Sequence, residues 1–481
     1  NRNMREAGME DREADFLRYV ARLSRPHQYD PSSPTLGMTE WEYAQCRAIY
    51  ESASPAAELL AEKDALPYRW CEAVPDYWSE LPEDKAPMGR VLVPEEARAS
   101  MSDGGQVAIR TMSAAAERDG VDIRVGHRVQ RLVTHDGGVV GVEATTADGS
   151  TVRVAARKAV IFATGGFTHD AELRANFLSA PVYGGCAAVT NEGDFVRIGA
   201  AAGAQLRNMN QAWMCPVPLE AAVAREPSLS GMFSVAGDSM LFLDKTGRRV
   251  VNEKLPYNEL AQTFFQWDPV KGEYPYLVLV QVWDQRAQEH SASDEYGRLI
   301  TGATDGHVLT GDTLEALGNA LRDRLARYAS VTGGLSLADD WAENARAAIE
   351  RFNALAMTGK DEDFGRGERA VQQLFNGDVR EEPGRTNPTM WPLSESGPYY
   401  AALVTGGTLD TKGGPKATPD GQIVDDLDRP IPGLYGVGNC VASPSARAYW
   451  AGGATLGPII AFAYRAANAA HREPVREEIN A

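Results

Sequence analysis

Lys158-Ala-Val-Ile-Phe-Ala163 is a continuous apolar run that ends in Thr164-Gly165-Gly166-Phe167. Apolar residues without alternation suit a strand covered on both faces, as in a parallel sheet. Glycines directly after such a strand lie at its carboxyl end, where open α/β sheets receive a dinucleotide. Taken alone, Thr164-Gly165-Gly166 reads equally well as a plain turn. Immediately upstream, Gln106–Arg118 has helical spacing. Val121–Val125, Arg128–Thr134, Val139–Thr146 and Thr151–Ala155 then alternate like strands, joined by Asp136-Gly137-Gly138 and Asp148-Gly149, which are hairpin signals. A helix, a meander and a buried strand in this order predict an α/β fold.

Further toward the N-terminus, residues 9–65 read as helices, with an apolar stripe over Asp11–Leu23. Residues 66–100 carry Tyr68, Trp70, Tyr77 and Trp78 among prolines, which is loop chemistry. Toward the C-terminus the pattern changes over 225–390. Strands are expected near Met240–Leu243 and Tyr276–Val282, and helices at Thr313–Ala329 and Asp339–Phe352. A proline-punctuated loop follows. The expected organisation is 1–222 as the first part of one domain, 223–397 as a domain inserted into it, and 398–481 as its return.

Composition bounds the function. The net charge of −18 over 481 residues argues against a general nucleic-acid binder, which needs a basic surface. The five cysteines include no C-x-x-C pair, and the seven histidines have no metal or triad spacing, so no metal site is expected. No apolar run approaches the ~20 residues that a transmembrane helix needs. The N-terminal residues show no signal peptide, and the chain reads as cytoplasmic. It does not begin with methionine, so either processing or an upstream segment is expected.

Two tail motifs can carry chemistry. Leu434-Tyr-Gly-Val-Gly-Asn439 is a short apolar strand ending in glycines, where backbone approaches a ligand closely and Asn439, beside Gly438, offers an amide to a hydroxyl. Gly452-Gly453-Ala454-Thr455-Leu456-Gly457 opens an apolar helix, whose N-terminal amides suit an anion. Turn chemistry is the alternative for the first motif and a ligand-free connection for the second. No G-x-G-x-x-G opens the chain, and Ala200-Ala-Ala-Gly203 reads as helix rather than as its replacement.

The order of Arg248-Arg-Val-Val-Asn-Glu253, Tyr399–Gly414, Gly433–Asn439 and Tyr449–Pro458 resembles the fumarate reductase and 3-ketosteroid dehydrogenase flavoprotein superfamily. The resemblance implies FAD as cofactor. It implies a Rossmann-like FAD-binding domain, incomplete at its N-terminus, with an inserted α+β catalytic domain. Val129, Ala163, Thr164, Gly165, Gly166, Asp194, Gly438, Asn439, Ala454, Thr455 and Leu456 are the residues expected to contact the cofactor. The phosphate loop that members carry near their start is expected from a small second polypeptide, or to have been lost from the N-terminus.

Within the superfamily, fumarate reductases clamp a dicarboxylate with arginines. Here Tyr257 stands where a proton-donating arginine would be, and Tyr449-Trp450 precedes Gly452-Gly453. A dianion needs fixed cationic forks, so a small, largely apolar ketone is the expected substrate. By resemblance to 3-ketosteroid Δ1-dehydrogenases, Tyr257 is the base, Tyr449 and the Gly453 amide bind the carbonyl oxygen, and Tyr77 assists Tyr257. A phenol ionises near ~10 when unperturbed, so such a base needs a neighbour that stabilises phenolate. Glu253 reads equally as a structural carboxylate. The alternatives are an enoate reductase of the fumarate reductase kind and a scaffold subunit without flavin.

Overall fold

The computed structural model describes residues 1–99, 101, 103–227, 237–291, 305–376 and 380–476. They form two compact units: 1–179 with 187–213 and 410–481, and 180–186 with 214–409. The divisions fall at 213/214 and 409/410, where the sequence placed 222/223 and 397/398. The reason is a strand pair. Ala212–Pro218 bonds to Tyr399–Thr411, so both strands go largely with the sheet of the second unit.

In the first unit Val160–Phe162 is parallel to Pro430–Gly436, with Val160 opposite Leu434 and Phe162 opposite Gly436. Gln422–Val424 pairs antiparallel on the other side of Pro430–Gly436. The meander is His127–His135, Gly138–Thr146 and Thr151–Ala155. Its first turn has φ +49° at Asp136 and +76° at Gly137, the backbone that a two-residue hairpin of right-handed twist requires. Phe162 stacks on Phe195 at 4.1 Å within a core that includes Val139, Ile423 and Leu434. Helix Leu456–Arg472 lays Ala466 and Ala470 against Tyr435 and Val437. It packs along Glu40–Glu62, whose start is fixed by reciprocal bonds between Thr39 and Glu42.

Val121–Val125, expected as a strand, forms none. Val121, Ile123 and Val125 are more than half exposed. A lone extended segment is not stable without a neighbour to bond, and among the described residues no strand pairs with it.

The second unit is built on a five-stranded sheet in which Leu309–Gly311, Tyr399–Thr411, Val278–Asp284 and Met240–Leu243 lie in that order, with Ala212–Pro218 also on Tyr399–Thr411. The alternation along Val278–Asp284 decides its faces. Val278, Val280 and Val282 join the core of helices Leu314–Arg327 and Trp341–Thr358, around the fully buried Trp341. Leu279 and Trp283 face Leu260 and Phe264, from Tyr257–Thr263 and its C-cap. Each large apolar side chain buried here contributes roughly 1.5–3 kcal/mol. Among the described residues, no helix is long and apolar enough to cross a membrane.

Candidate functional site

The strand Val160–Phe162 delivers Ala163 and Thr164 to an exposed position and then turns through Gly165 at φ +70°. A Cβ on Gly165 would lie 2.3 Å from Asn191 Nδ2, and one on Gly166 2.2 Å from Thr411 Oγ1. The turn is therefore packed against a neighbour that admits only glycine.

That neighbour is organised by Asp410, which is buried. Its carboxylate accepts from the Gly166 amide at 2.8 Å, the Thr168 hydroxyl at 2.9 Å, the Thr411 amide at 2.9 Å, Asn191 Nδ2 at 2.9 Å and Asn439 Nδ2 at 3.2 Å. Burial pushes this carboxyl above its ordinary range, against the pull of the Gly166 and Thr411 amides. Through Asp410 the structure brings together Thr164-Gly165-Gly166 and Gly438-Asn439, two motifs separated by more than half the chain. Asn439 also accepts from Trp213 Nε1 at 3.1 Å, so its amide is held at both ends.

Tyr77 and Tyr449 meet as well. Their rings stack at 5.5 Å with planes 17° apart, and Trp213 meets Tyr449 edge-on at 5.1 Å. Thr455 donates its hydroxyl to Tyr449 Oη at 3.1 Å. The backbone behind the pair is tied down too. The Tyr77 amide donates to the Trp450 carbonyl at 3.1 Å, and the Tyr19 hydroxyl donates to the same oxygen at 2.6 Å. Gly453 is exposed, has φ +81°, and a Cβ there would meet nothing within 4 Å. The Ala454 amide closes a turn on Ala451, and no side chain caps the helix that Leu456 starts.

Val129 and Asp194 lie in the same unit. Arg128, beside Val129, donates to Asp194 Oδ1 at 2.6 Å and joins the meander to the first turn of Asp194–Ala201. Tyr257 belongs to the second unit. It is buried, follows Pro256 as the first residue of Tyr257–Thr263, and its ring lies 6.0 Å from that of Phe375. Near it in sequence, Glu253 accepts from Arg249 at 2.8 Å and from Arg366 at 3.2 Å, and Arg249 also donates to Asp361 at 2.7 Å. Burial opposes ionisation of Glu253, but Arg249 and then Arg366 hold its carboxyl below the ordinary range. Glu253 is thus a structural carboxylate. Among the described residues, no cluster of histidine, cysteine, aspartate and glutamate could hold a metal ion.

Residues 33–456 match the FAD binding domain family. The chain belongs to that family. The FAD-binding chain is 32% identical over 381 residues to 4-oxocyclohexanecarboxylate 2-dehydrogenase of Sinomonas cyclohexanicum, covering 77% of this chain and 61% of the relative. It is 30% identical over 372 residues to 3-oxosteroid 1-dehydrogenase of Mycolicibacterium smegmatis, covering 76% and 61%. It thus spans about three fifths of the length of these relatives. In fold it is similar to 3-ketosteroid delta1-dehydrogenase from Sterolibacterium denitrificans, with a TM-score of 0.76 at 22% identity over 96% of this chain and 89% of that one. A flavocytochrome c3 fumarate reductase gives 0.64 at 19% identity over 98% and 69%. The fold is the FAD-binding α/β architecture with an inserted α+β domain, and FAD is the cofactor.

Sequence reasoning missed Asp410, Lys412 and Trp213. Its signal was available in Leu409-Asp-Thr-Lys-Gly-Gly414: two charged residues at the glycine-flanked end of an otherwise apolar strand. Such charges are buried only when something is worth holding.

Proposed function

We propose that the chain is a flavin-dependent dehydrogenase acting on the CH–CH group beside the carbonyl of a cyclic ketone. The observation that carries this reading is the Tyr77–Tyr449 stack: Thr455 meets the Tyr449 hydroxyl, and Tyr449 stands four residues before the open Gly453. The two dehydrogenases quoted above are named for ring ketones, which agrees with it. Among the described residues, Arg249 and Arg366 are not available as a dicarboxylate clamp. Arg249 and Arg366 are engaged by Glu253 and Asp361, and Arg447 is exposed.

In this reading Tyr449 and the Gly453 amide donate to the substrate carbonyl oxygen and hold the negative charge that grows there. Tyr257 takes the proton from the adjoining carbon, and Tyr77 assists it. FAD, when bound, supplies the two-electron acceptor. Ala163, Thr164, Gly165, Gly166, Gly438, Asn439, Ala454, Thr455 and Leu456 would hold it, with Val129 and Asp194 at the meander side. The uncapped helix end at Leu456 and the open space at Gly453 fit an electron-rich ring. Five cysteines that form no disulfide, Cys186 and Cys215 among them with sulfurs 3.6 Å apart, suit a reducing compartment, so we place the protein in the cytoplasm.

A small second polypeptide that supplies the glycine-rich phosphate loop belongs to the same reading. Among the described residues Val160–Phe162 pairs on one side only, and Ile161 is 41% exposed beside that open edge. A short strand-bearing chain that co-purifies with the protein, and whose removal releases FAD, is the expected finding.

The experiment is turnover of cyclohexanone-type and 3-oxosteroid substrates by flavin-loaded protein with an artificial electron acceptor. Tyr257→Phe should keep the visible flavin spectrum and lose turnover. Full activity in that variant removes the base assignment, and activity on fumarate instead of ketones replaces the reading with an enoate reductase.

A further inference from the structure

Lys412 is fully buried, two residues beyond Asp410 on the same segment. Its ammonium donates to the carbonyl oxygen of Ala446 at 2.9 Å and to that of Ala448 at 2.7 Å. It also sits 3.9 Å from the ring centroid of Trp213, close enough for a strong cation–π contact. Burying a lysine costs several kcal/mol unless its hydrogens are well used. Here they fasten one short loop, and that loop leads into Tyr449.

Three independent details make the fastening specific. The Ala448 carbonyl belongs to the peptide bond that joins Ala448 to Tyr449, so the ammonium grips the backbone at the tyrosine itself. Ala446 has φ +45°, a left-handed conformation that costs a non-glycine residue about 1–3 kcal/mol and persists only where surroundings impose it. The grip on its carbonyl is such an imposition. Trp213, under the ammonium, is the ring whose edge meets Tyr449 and whose indole N–H donates to Asn439. One buried cation therefore touches both the backbone that carries Tyr449 and the wall that packs against it.

We propose that Lys412 is the positioning residue of the tyrosine site: by pinning the Ala446 and Ala448 carbonyls and bracing Trp213, it fixes where the Tyr449 hydroxyl points. The inference rests on the reading of Tyr449 as a carbonyl-binding residue. Lys412 does not touch the reacting atoms. It acts through Tyr449, so its loss lowers kcat rather than substrate binding.

The test is Lys412→Met, which keeps the length and removes the charge and donors, read in two ways on flavin-loaded protein. The first is steady-state kinetics with a cyclic ketone: kcat should fall about tenfold to a hundredfold, with KM changed by less than about threefold. The second needs no turnover. The near-ultraviolet circular dichroism lost in Tyr449→Phe defines the signature of the Tyr77–Tyr449–Trp213 stack, and Lys412→Met should lose most of that band while its far-ultraviolet spectrum stays that of the wild type. Lys412→Arg, which keeps charge and donors, should recover part of both. A folded Lys412→Met with wild-type kcat, or one with lowered kcat but an intact stack band, overturns the proposal. A wild type that turns over no cyclic ketone, together with a lost band in Lys412→Met, fells the functional reading and leaves the positioning role standing. Should Lys412→Met not fold, Trp213→Phe carries the test, because it leaves the ammonium in place and shrinks the ring it braces. It should weaken the same band and lower kcat about threefold, and wild-type values for both overturn the proposal.

Discussion

Glu253 in the second unit and Asp410 in the first are both buried carboxylates, yet they are satisfied in opposite ways. Glu253 faces guanidiniums, with Arg249 and Arg366 on its oxygens and Asp361 completing a closed set of two cations and two anions. Asp410 accepts from amides and a hydroxyl, and each donor belongs to a turn or strand end at the candidate cofactor site. The difference teaches what each charge is for. A closed ionic set is strong when whole and costly when broken, and it holds a domain together. A carboxylate held by backbone and amide donors has little to attract from afar, but it fixes the relative positions of everything that donates to it.

The largest expected effect lies on the ionic side. Glu253→Ala leaves Arg366 fully buried without its carboxylate and should destabilise the protein by about 3–5 kcal/mol in urea unfolding. A loss under about 1 kcal/mol would mean that the set contributes no more than a surface pair. Acid should act at the same place. The folded-state carboxyl of Glu253 lies below its unfolded value, so its contribution is present above the ordinary glutamate range, near ~4.3, and is lost as pH falls through the lower folded value. In Glu253→Gln the acid-side fall in unfolding free energy should be shallower than in the wild type. Parallel curves for the two proteins contradict the assignment.

On the other side, Asp410→Ala should cost less stability and more cofactor. A donor left without an acceptor costs about 1–3 kcal/mol only while it stays dry, and the turn lies beside the exposed Ala163 and Thr164, where water can replace the carboxylate. The glycine turn and Asn439 are released from each other, and FAD affinity, followed by flavin fluorescence, should fall about tenfold or more. If FAD binds Asp410→Ala as tightly as wild type while the stability loss matches that of Glu253→Ala, the two carboxylates do the same job and the contrast drawn here fails.

The contrast also marks where sequence reasoning reached its limit. Val160–Phe162 with its glycine turn, the meander and the helix after Gly453 were legible, because apolar periodicity and glycine placement are local properties. Resemblance gave Tyr77, Tyr449 and Gly453, and the structure places the two tyrosines in contact. Asp410 and Lys412 fall inside the stretch Tyr399–Gly414, where nothing local marks either as buried. Their partners, Gly166, Asn191, Asn439, Ala446 and Ala448, lie far away along the chain or across a loop, and no spacing rule links them. Val121–Val125 failed for the converse reason. Its alternation suits a strand, but a strand is a property of a pair, and among the described residues no strand pairs with it.

The smallest effect concerns a third way of burying a polar group, with no partner at all. Gln281 lies on the central strand Val278–Asp284, is fully buried, and neither its side-chain oxygen nor its nitrogen has a hydrogen-bond partner. It points to the face shared by Leu279 and Trp283, where its in-strand neighbours pack on Phe242 and Phe264. An amide in that position forgoes its hydrogen bonds with water and gains none, so a methionine of similar volume should be tolerated and should raise stability by about 1 kcal/mol. Replacing Glu253 or Asp410 should lower stability, whereas replacing Gln281 should raise it. Buried polarity in this protein is then justified by what it fastens and not by burial itself. A Gln281→Met variant less stable than wild type by about the same margin would show that the amide is satisfied in solution, and would place Gln281 with the two carboxylates instead of against them.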